Sequence, residues 1–135
     1  MPSSSWVLQQ AVYDAITADA GLIALVGAPR VYDDVPQGAP FPYLTLGQST
    51  SRDWSTGSDS GEEHTLTIHV WSRAAGRKQV HEIMSALRTA LHERSLALAG
   101  HRLVLLRHDL SEARRDTTAN AYHGLIRFRA LTEAL

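Results

Sequence analysis

A chain of 135 residues, 44% hydrophobic and 20% charged, is long enough to bury a core without covalent staples and too apolar to be disordered throughout. It contains no cysteine, which excludes a disulfide framework, a thiolate nucleophile and a cysteine-based zinc site. A net charge of -1 lacks the basic excess of a dedicated nucleic-acid binder.

The first residues, Met1-Pro2-Ser3-Ser4-Ser5-Trp6, have neither the basic start nor the apolar stretch of a signal peptide. No apolar run nears the roughly 20 residues that a bilayer requires, so the expectation is a protein made on the cytoplasmic side with no membrane partner. Ser5 suits an N-cap, and Leu8, Val12, Ala15 and Ile16 recur at helical spacing, which predicts a helix over 5–18. Asp19 can cap a short second turn over 21–26, ended by Gly27 and Pro29. Val31 and Tyr32 read as a short strand. Pro36, Pro40 and Pro42 then remove amide donors and fix φ, so residues 35–42 cannot lie mid-sheet. They read as a rigid arm leading into a strand over 43–49.

Residues 51–61 are polar, small and glycine-bearing, the composition of a long hairpin loop. Leu66, Ile68 and Val70 then alternate with Thr65, Thr67, His69 and Trp71, the period of a half-buried strand. Val80, Ile83, Met84, Leu87 and Leu91 form an apolar stripe over 75–93, the clearest amphipathic helix in the chain. Leu96 and Leu98 lead through a tight turn at Ala99-Gly100 to a strand over 101–108. The polar stretch 111–120 is expected to be mobile at its centre. A last strand over 121–132 places Ile126, Phe128 and Ala130 on one face and Arg127, Arg129 and Leu131 on the other.

No repeat or linker interrupts this order, so residues 1–135 are expected to form a single domain. The order predicts an α+β fold: a mainly antiparallel sheet with one long amphipathic helix and an N-terminal helix packed on it. The strand edges left over are ones that a ring of identical subunits could pair or cover. Charge is spread unevenly along the chain. Residues 1–51 and 52–63 each carry a net -3, and residues 73–94 and 101–130 each carry +3. An acidic first half and a basic second half could let copies dock head to tail, with solvated faces of accidental sign as the even alternative.

Seven histidines raise the question of a metal. His64 and His69 are five apart on a strand and point to opposite faces. His81-Glu82-Ile83-Met84-Ser85 opens like H-E-x-x-H, but Ser85 stands where the second ligand belongs. His92, His101, His108 and His123 show no ligand spacing with a nearby carboxylate. Asp33-Asp34 and Glu62-Glu63 are adjacent, so their side chains diverge instead of facing each other as an acid–base couple. There is no G-x-S-x-G elbow and no phosphate-cradling glycine loop. The expectation is no catalytic residue, no cofactor, no metal and no enzyme. A rival reading is a small hydrolase or ligand-binding domain whose His and Asp residues converge in the fold.

The residues that stand out suit contact better than catalysis. Arg52, Asp53 and Trp54 lie in the polar loop, and Trp and Arg are enriched at contact hot spots. Trp54 either folds back on the sheet or meets a partner. Val35, Pro36 and Phe41 of the arm are further interface candidates. Arg127 and Arg129 share a strand face, as a basic stripe or a salt-bridged one.

Four stretches carry a resemblance: Val31-Tyr32-Asp33-Asp34-Val35-Pro36, Phe41-Pro42-Tyr43-Leu44-Thr45-Leu46-Gly47, His64-Thr65-Leu66-Thr67-Ile68-His69-Val70-Trp71-Ser72 and Arg127-Phe128-Arg129-Ala130. In this order and spacing, residues 8–133 resemble the tail-completion or tail-terminator proteins of long-tailed bacteriophages and of gene transfer agents. The Thr117-Thr118-Ala119-Asn120 turn is less glycine-rich than that family's pattern. The resemblance implies a tail-terminator-like fold and a homo-oligomeric ring, usually a hexamer, at the head–tail junction. Such a ring ends tail-tube polymerisation, offers a surface for head attachment and leaves a channel open for DNA. The implied partners are further copies, the tail-tube protein and a head-completion or stopper protein, with DNA touched transiently and without sequence reading. The implied location is the bacterial cytoplasm during assembly and then the virion or gene-transfer-agent particle. A stopper or adaptor ring below the portal is the alternative position.

Overall fold

The computed structural model describes residues 3–135; Met1 and Pro2, the start of the expected domain, lie outside the described residues. Helix α1 (Ser4–Thr17) begins earlier than the Ser5 cap predicts, because the Ser3 side chain accepts from the Trp6 amide at 3.1 Å. Its buried side is Val7, Leu8, Val12 and Ile16. Asp19 caps α2 (Ala20–Val26) as expected, accepting from the Leu22 amide at 3.0 Å. Gly27, at φ +91°, ends that helix in the left-handed region.

Strands β1 (Val31–Tyr32), β2 (Tyr43–Asp53) and β3 (Gly61–Ser72) precede helix α3 (Lys78–Leu91). Strands β4 (Ala97–Leu98), β5 (His101–Asp116) and β6 (Ala121–Ala134) follow it. All six join one sheet in the order β1-β2-β3-β6-β5-β4. Every pairing is antiparallel except β1–β2, where Val31 and Tyr32 run parallel to Leu44 and Thr45. The sheet is therefore mixed.

Helix α3 is shorter than its stripe predicts. Gly76, at φ +87°, breaks the chain just before it. After Leu91 the backbone of His92 is extended, and the Glu93 amide donates to the Leu106 carbonyl at 2.7 Å, turning the chain back to the sheet. Helices α1 and α3 are 14 residues each, so the helix expected to be long over 75–93 is no longer than the N-terminal helix packed beside it.

Three strands outrun their predicted ends, β6 by only two residues, to Ala134. β2 continues through Arg52 and Asp53, which leaves a hairpin loop over 54–60. β5 continues to Asp116, in register with Ala121 of β6, so the centre of the stretch 111–120, where mobility was expected, is hydrogen-bonded ladder. Thr117–Asn120 closes it as a tight turn in which Asp116 Oδ1 accepts from the Ala119 amide at 2.9 Å. The polar side chains of 111–116 hid the strand, because an outer strand that is solvated on both faces shows no alternation.

Both α1 and α3 pack on one sheet face. There Val80, Ile83, Leu87 and Leu91 meet Leu8, Val12 and Ile16 over Ile68, Val70, Ile126 and Phe128. The opposite face, by strand alternation, presents Thr67, His69, Trp71, Leu125, Arg127 and Arg129. Leu131 was expected outward with the two arginines but is buried. It pairs with Leu105 beside a register irregularity between Leu103 and Leu105, where extra twist curls the sheet end inward.

Candidate functional site

The β2–β3 hairpin tip is stiffened by its own hydrogen bonds. The Trp54 amide donates to the Gly61 carbonyl at 2.9 Å, and the Thr56 amide to the Asp59 carbonyl at 2.9 Å. Asp53 Oδ1 accepts from the Ser55 hydroxyl at 2.6 Å and from the Ser55 amide at 3.2 Å. These bonds, the hydroxyl first, hold the Asp53 carboxyl below its ordinary range. Asp53 is thus an internal fastener of the tip. Trp54 folds back on the sheet only in part. Its ring edge lies over Gly61, where a Cβ would stand 3.4 Å from Cε3, yet 46% of the residue remains exposed.

Next to the tip, Glu63 ties two of the predicted candidates together. One of its oxygens is 3.6 Å from Arg52 Nε and the other 2.6 Å from Arg129 Nε. Arg127, two residues along β6 on the same face, has no ion-pair partner among the described residues. The stripe expected from sequence therefore holds one salt-bridged and one free guanidinium.

The arm is a separate surface. Val35 and Pro36 are exposed, but Phe41 is held within the chain: its ring packs 4.9 Å from that of Tyr43, and the Arg73 guanidinium sits 4.1 Å from its centre. The arm enters β2 at Tyr43 and the tip leaves at Asp53. At a rise of about 3.3 Å per residue these ends lie about 33 Å apart along the strand. The structure joins Arg52, Asp53, Trp54 and Arg129 near one end and does not bring Val35, Pro36 and Phe41 to them.

Sequence reasoning missed a histidine pair on the helix-free face. His69 Nδ1 and His123 Nε2 are 2.7 Å apart although separated by 54 residues. Trp71 stacks on His123 with centroids 4.1 Å apart and planes within 6°. Gly47 on the neighbouring strand makes the room: a Cβ there would stand 2.5 Å from His69 Nε2. Burial first, then Arg114, holds the His69 ring below the ordinary imidazole range. For His123 the causes are burial, then His69 and Arg114, partly offset by Asp116 and Glu112. His64, on the core face, contacts Thr132 Oγ1 at 2.9 Å and Ser5 Oγ at 3.4 Å, and burial again lowers its titration. Among the described residues no cluster of three or more His, Asp or Glu side chains has the arrangement of a metal site. No described helix is long and apolar enough to cross a membrane.

The fold is of the α+β class, a helix-backed mixed sheet with a hydrogen-bonded hairpin tip. The comparisons give that class a family. The family model "Tail completion protein gp17" matches residues 10–133, so the chain belongs to the tail completion protein gp17 family. The tail completion protein gp17 of Bacillus phage SPP1 is 28% identical over 126 residues, covering 93% of this chain and 92% of that protein. A chain of the virion of a native gene transfer agent particle is similar at 36% identity and a TM-score of 0.90, covering 99% of this chain and all of that one. These relatives are structural virion components and not enzymes, and the chain has a structural role in tail completion.

Proposed function

We propose that the whole chain acts as one tail-terminator-like domain in a hexameric ring at the head–tail junction. The ring ends tail-tube polymerisation, joins tail to head and keeps a central channel open for DNA. Family membership and the likeness to a gene-transfer-agent virion chain support a place in such a particle; assembly in the bacterial cytoplasm is part of the proposal. The observation that carries the contact reading is the hairpin tip, where a half-exposed Trp54 is presented on a loop already ordered by its own hydrogen bonds. A preorganised aromatic loses little freedom on docking, which is what a recurring subunit contact needs.

In this reading Trp54 and Arg52 meet the tail-tube protein, with Asp53 holding the loop's shape. Val35 and Pro36 meet a head-completion or stopper protein from the other end of β2, with Phe41 anchoring the arm. The mechanism is geometric: one ring face matches the last tube ring, and the other offers no further tube surface. Arg127 and Arg129 on the helix-free face touch passing DNA only at its phosphates.

The test is electron microscopy of particles from a producer strain lacking this gene. Full heads with separate, overlong or unjoined tails support the terminator reading. Normal infectious or transducing particles overturn it. Heads that leak DNA overturn the terminator position in favour of a stopper or adaptor ring below the portal.

A further inference from the structure

The two sides of the sheet end in unlike surfaces. On the β1 side, Trp6 and Tyr13 of α1, Tyr32 of β1, and Asp33 and Asp34 beyond it line a groove of about 380 Å³. Trp6 is 54% exposed, and neither Asp33 nor Asp34 has an ion-pair partner among the described residues. Two of the groove's walls are therefore aromatic surface and a pair of free carboxylates. β1 pairs only with Leu44 and Thr45, so it shields little of the outer side of β2.

On the other side, β4 pairs only with His101 and Arg102, and the remaining length of β5 forms the margin of the sheet. Val104 and Leu110 are exposed there at 46% and 40%. Arg114 and Arg115 are exposed and have no carboxylate partner among the described residues. Arg115 is already oriented: it donates to Asn120 Oδ1 at 2.6 Å and lies 5.2 Å from the centre of the Tyr122 ring. The Arg114–Arg115 stretch of this margin is cationic, although Asp109, Glu112 and Asp116 offset its charge over the full length of the strand, whereas the groove is aromatic and anionic. Guanidinium groups pair with carboxylates and pack against aromatic rings, so the two surfaces suit each other in both charge and apolar content.

We propose that the groove beside β1 receives the free β5 margin of a second copy of this chain, joining identical subunits head to tail. The inference rests on the ring reading and names its contact. The sheet order puts the two surfaces on opposite sides of the subunit, as a heterologous contact that closes into a ring requires. The β5 margin carries register irregularities at Leu103/Leu105 and His108/Leu110, and bulges there oppose continuation of the ladder into a neighbour. The contact is therefore docking of side chains into the groove and not an extended sheet.

The test is charge exchange. Asp33→Arg/Asp34→Arg makes the groove basic like the Arg114–Arg115 stretch, and Arg114→Asp/Arg115→Asp makes that stretch acidic like the groove. All four positions are exposed, and thermal melts check that each variant folds. Multimer size is read by light scattering and negative-stain microscopy for purified protein, and by tail morphology when each variant replaces the natural chain in a producer strain. Each variant alone is expected to weaken multimer formation at least tenfold or give unjoined tails. An equimolar mixture, or co-expression, is expected to restore rings of alternating subunits. Trp6→Ser and Leu110→Ser test the apolar half and are each expected to weaken assembly. Variants that assemble like the natural chain, or a loss that mixing does not restore, overturn the contact while leaving the ring reading intact. A natural chain that is monomeric when purified and single-copy in particles overturns both.

Discussion

Gly124 offers the sharpest test of how α3 is seated. It lies on β6 between Val70 of β3 and Ala113 of β5. A Cβ at this position would stand 2.5 Å from Val80 Cγ1 and 3.0 Å from Met84 Sδ. Met84 is unbranched and can swing aside. Val80 cannot, because a β-branched residue in a helix is confined to one χ1 rotamer and this one is fully buried. Relief requires α3 to lift by about 1 Å, which loosens Ile83, Leu87 and Leu91 over Ile126 and Phe128. Overpacking of this kind costs about 1–3 kcal/mol, against about 0.4–1 kcal/mol returned by restricting the unfolded chain. Gly124→Ala should therefore destabilise by about 1–2 kcal/mol and lower Tm by several degrees. Val80→Ala alone should cost about 1–3 kcal/mol by removing two buried methyl groups. In the double variant the new methyl enters the space that Val80 vacates, so its stability should equal that of Val80→Ala, a coupling of about 1 kcal/mol or more. Urea unfolding of the four proteins measures this directly. Effects that add to within about 0.5 kcal/mol would refute the close approach.

Gly47→Ala should push the His69 ring off His123, costing about 1–2 kcal/mol by the same overpacking and moving the imidazole NMR signals; unmoved signals would count against the pair. Stability should also depend on pH. His64, His69 and His123 titrate in the fold below their ordinary value of 6.5, so the unfolded chain takes up protons first. Their contribution is complete above that value and is lost as the pH falls through the lower folded values. Tm should decline on acidification from about pH 7.5 to about pH 5, less steeply in His123→Gln, and a flat profile in the natural chain would contradict the burial argument. Glu63→Gln removes the carboxylate between Arg52 and Arg129, whose side chains are largely exposed, and should cost less than about 1 kcal/mol; a larger loss on unfolding would mean that the bridge bears on the core. Arg52→Ala with Trp54→Ala should leave Tm nearly unchanged and impair particle assembly, and normal particles from that variant would sink the tip contact.

What the sequence disclosed was whatever an apolar stripe could disclose. Leu8, Val12 and Ile16 marked α1, Ile83, Leu87 and Leu91 marked α3, and the alternation of Leu66, Ile68 and Val70 marked β3; all are core residues in the fold. Elements without a buried stripe were misread. Ser111 to Asp116 have no apolar alternation, and only pairing with β6 makes them strand. Arg52 and Asp53 read as loop for the same reason, until Glu63 and Glu62 lie opposite them. The candidates themselves were legible as residue types, since an arginine and a tryptophan in a polar loop are conspicuous. Their partners were not, because Glu63 meets Arg129 across 66 residues and His69 meets His123 across 54. Such contacts depend on which distant strands pair, which the residues of one strand do not show on their own.

The margins of the sheet sharpen the case for assembly. A long unpaired strand in a lone subunit is an invitation to aggregate, and proteins blunt it with prolines, bulges, charge or cover. Both margins of this sheet carry such devices: the proline-bearing arm lies next to β1 at one side, and two register irregularities with several arginines mark β5 at the other. Yet the blunting stops short of the side chains. Val104 and Leu110 stay outward on β5, and Trp6 stays outward beside the acidic groove, where polar residues would have been safer for a solitary protein. A margin that refuses ladder pairing while keeping apolar and charged side chains on show rejects strands at large and admits a surface of matching shape and charge. In the proposed ring, which would close after a fixed number of copies, that selectivity would be worth more than a strong but unspecific sheet-to-sheet bond, because an extended ladder fixes no closing angle.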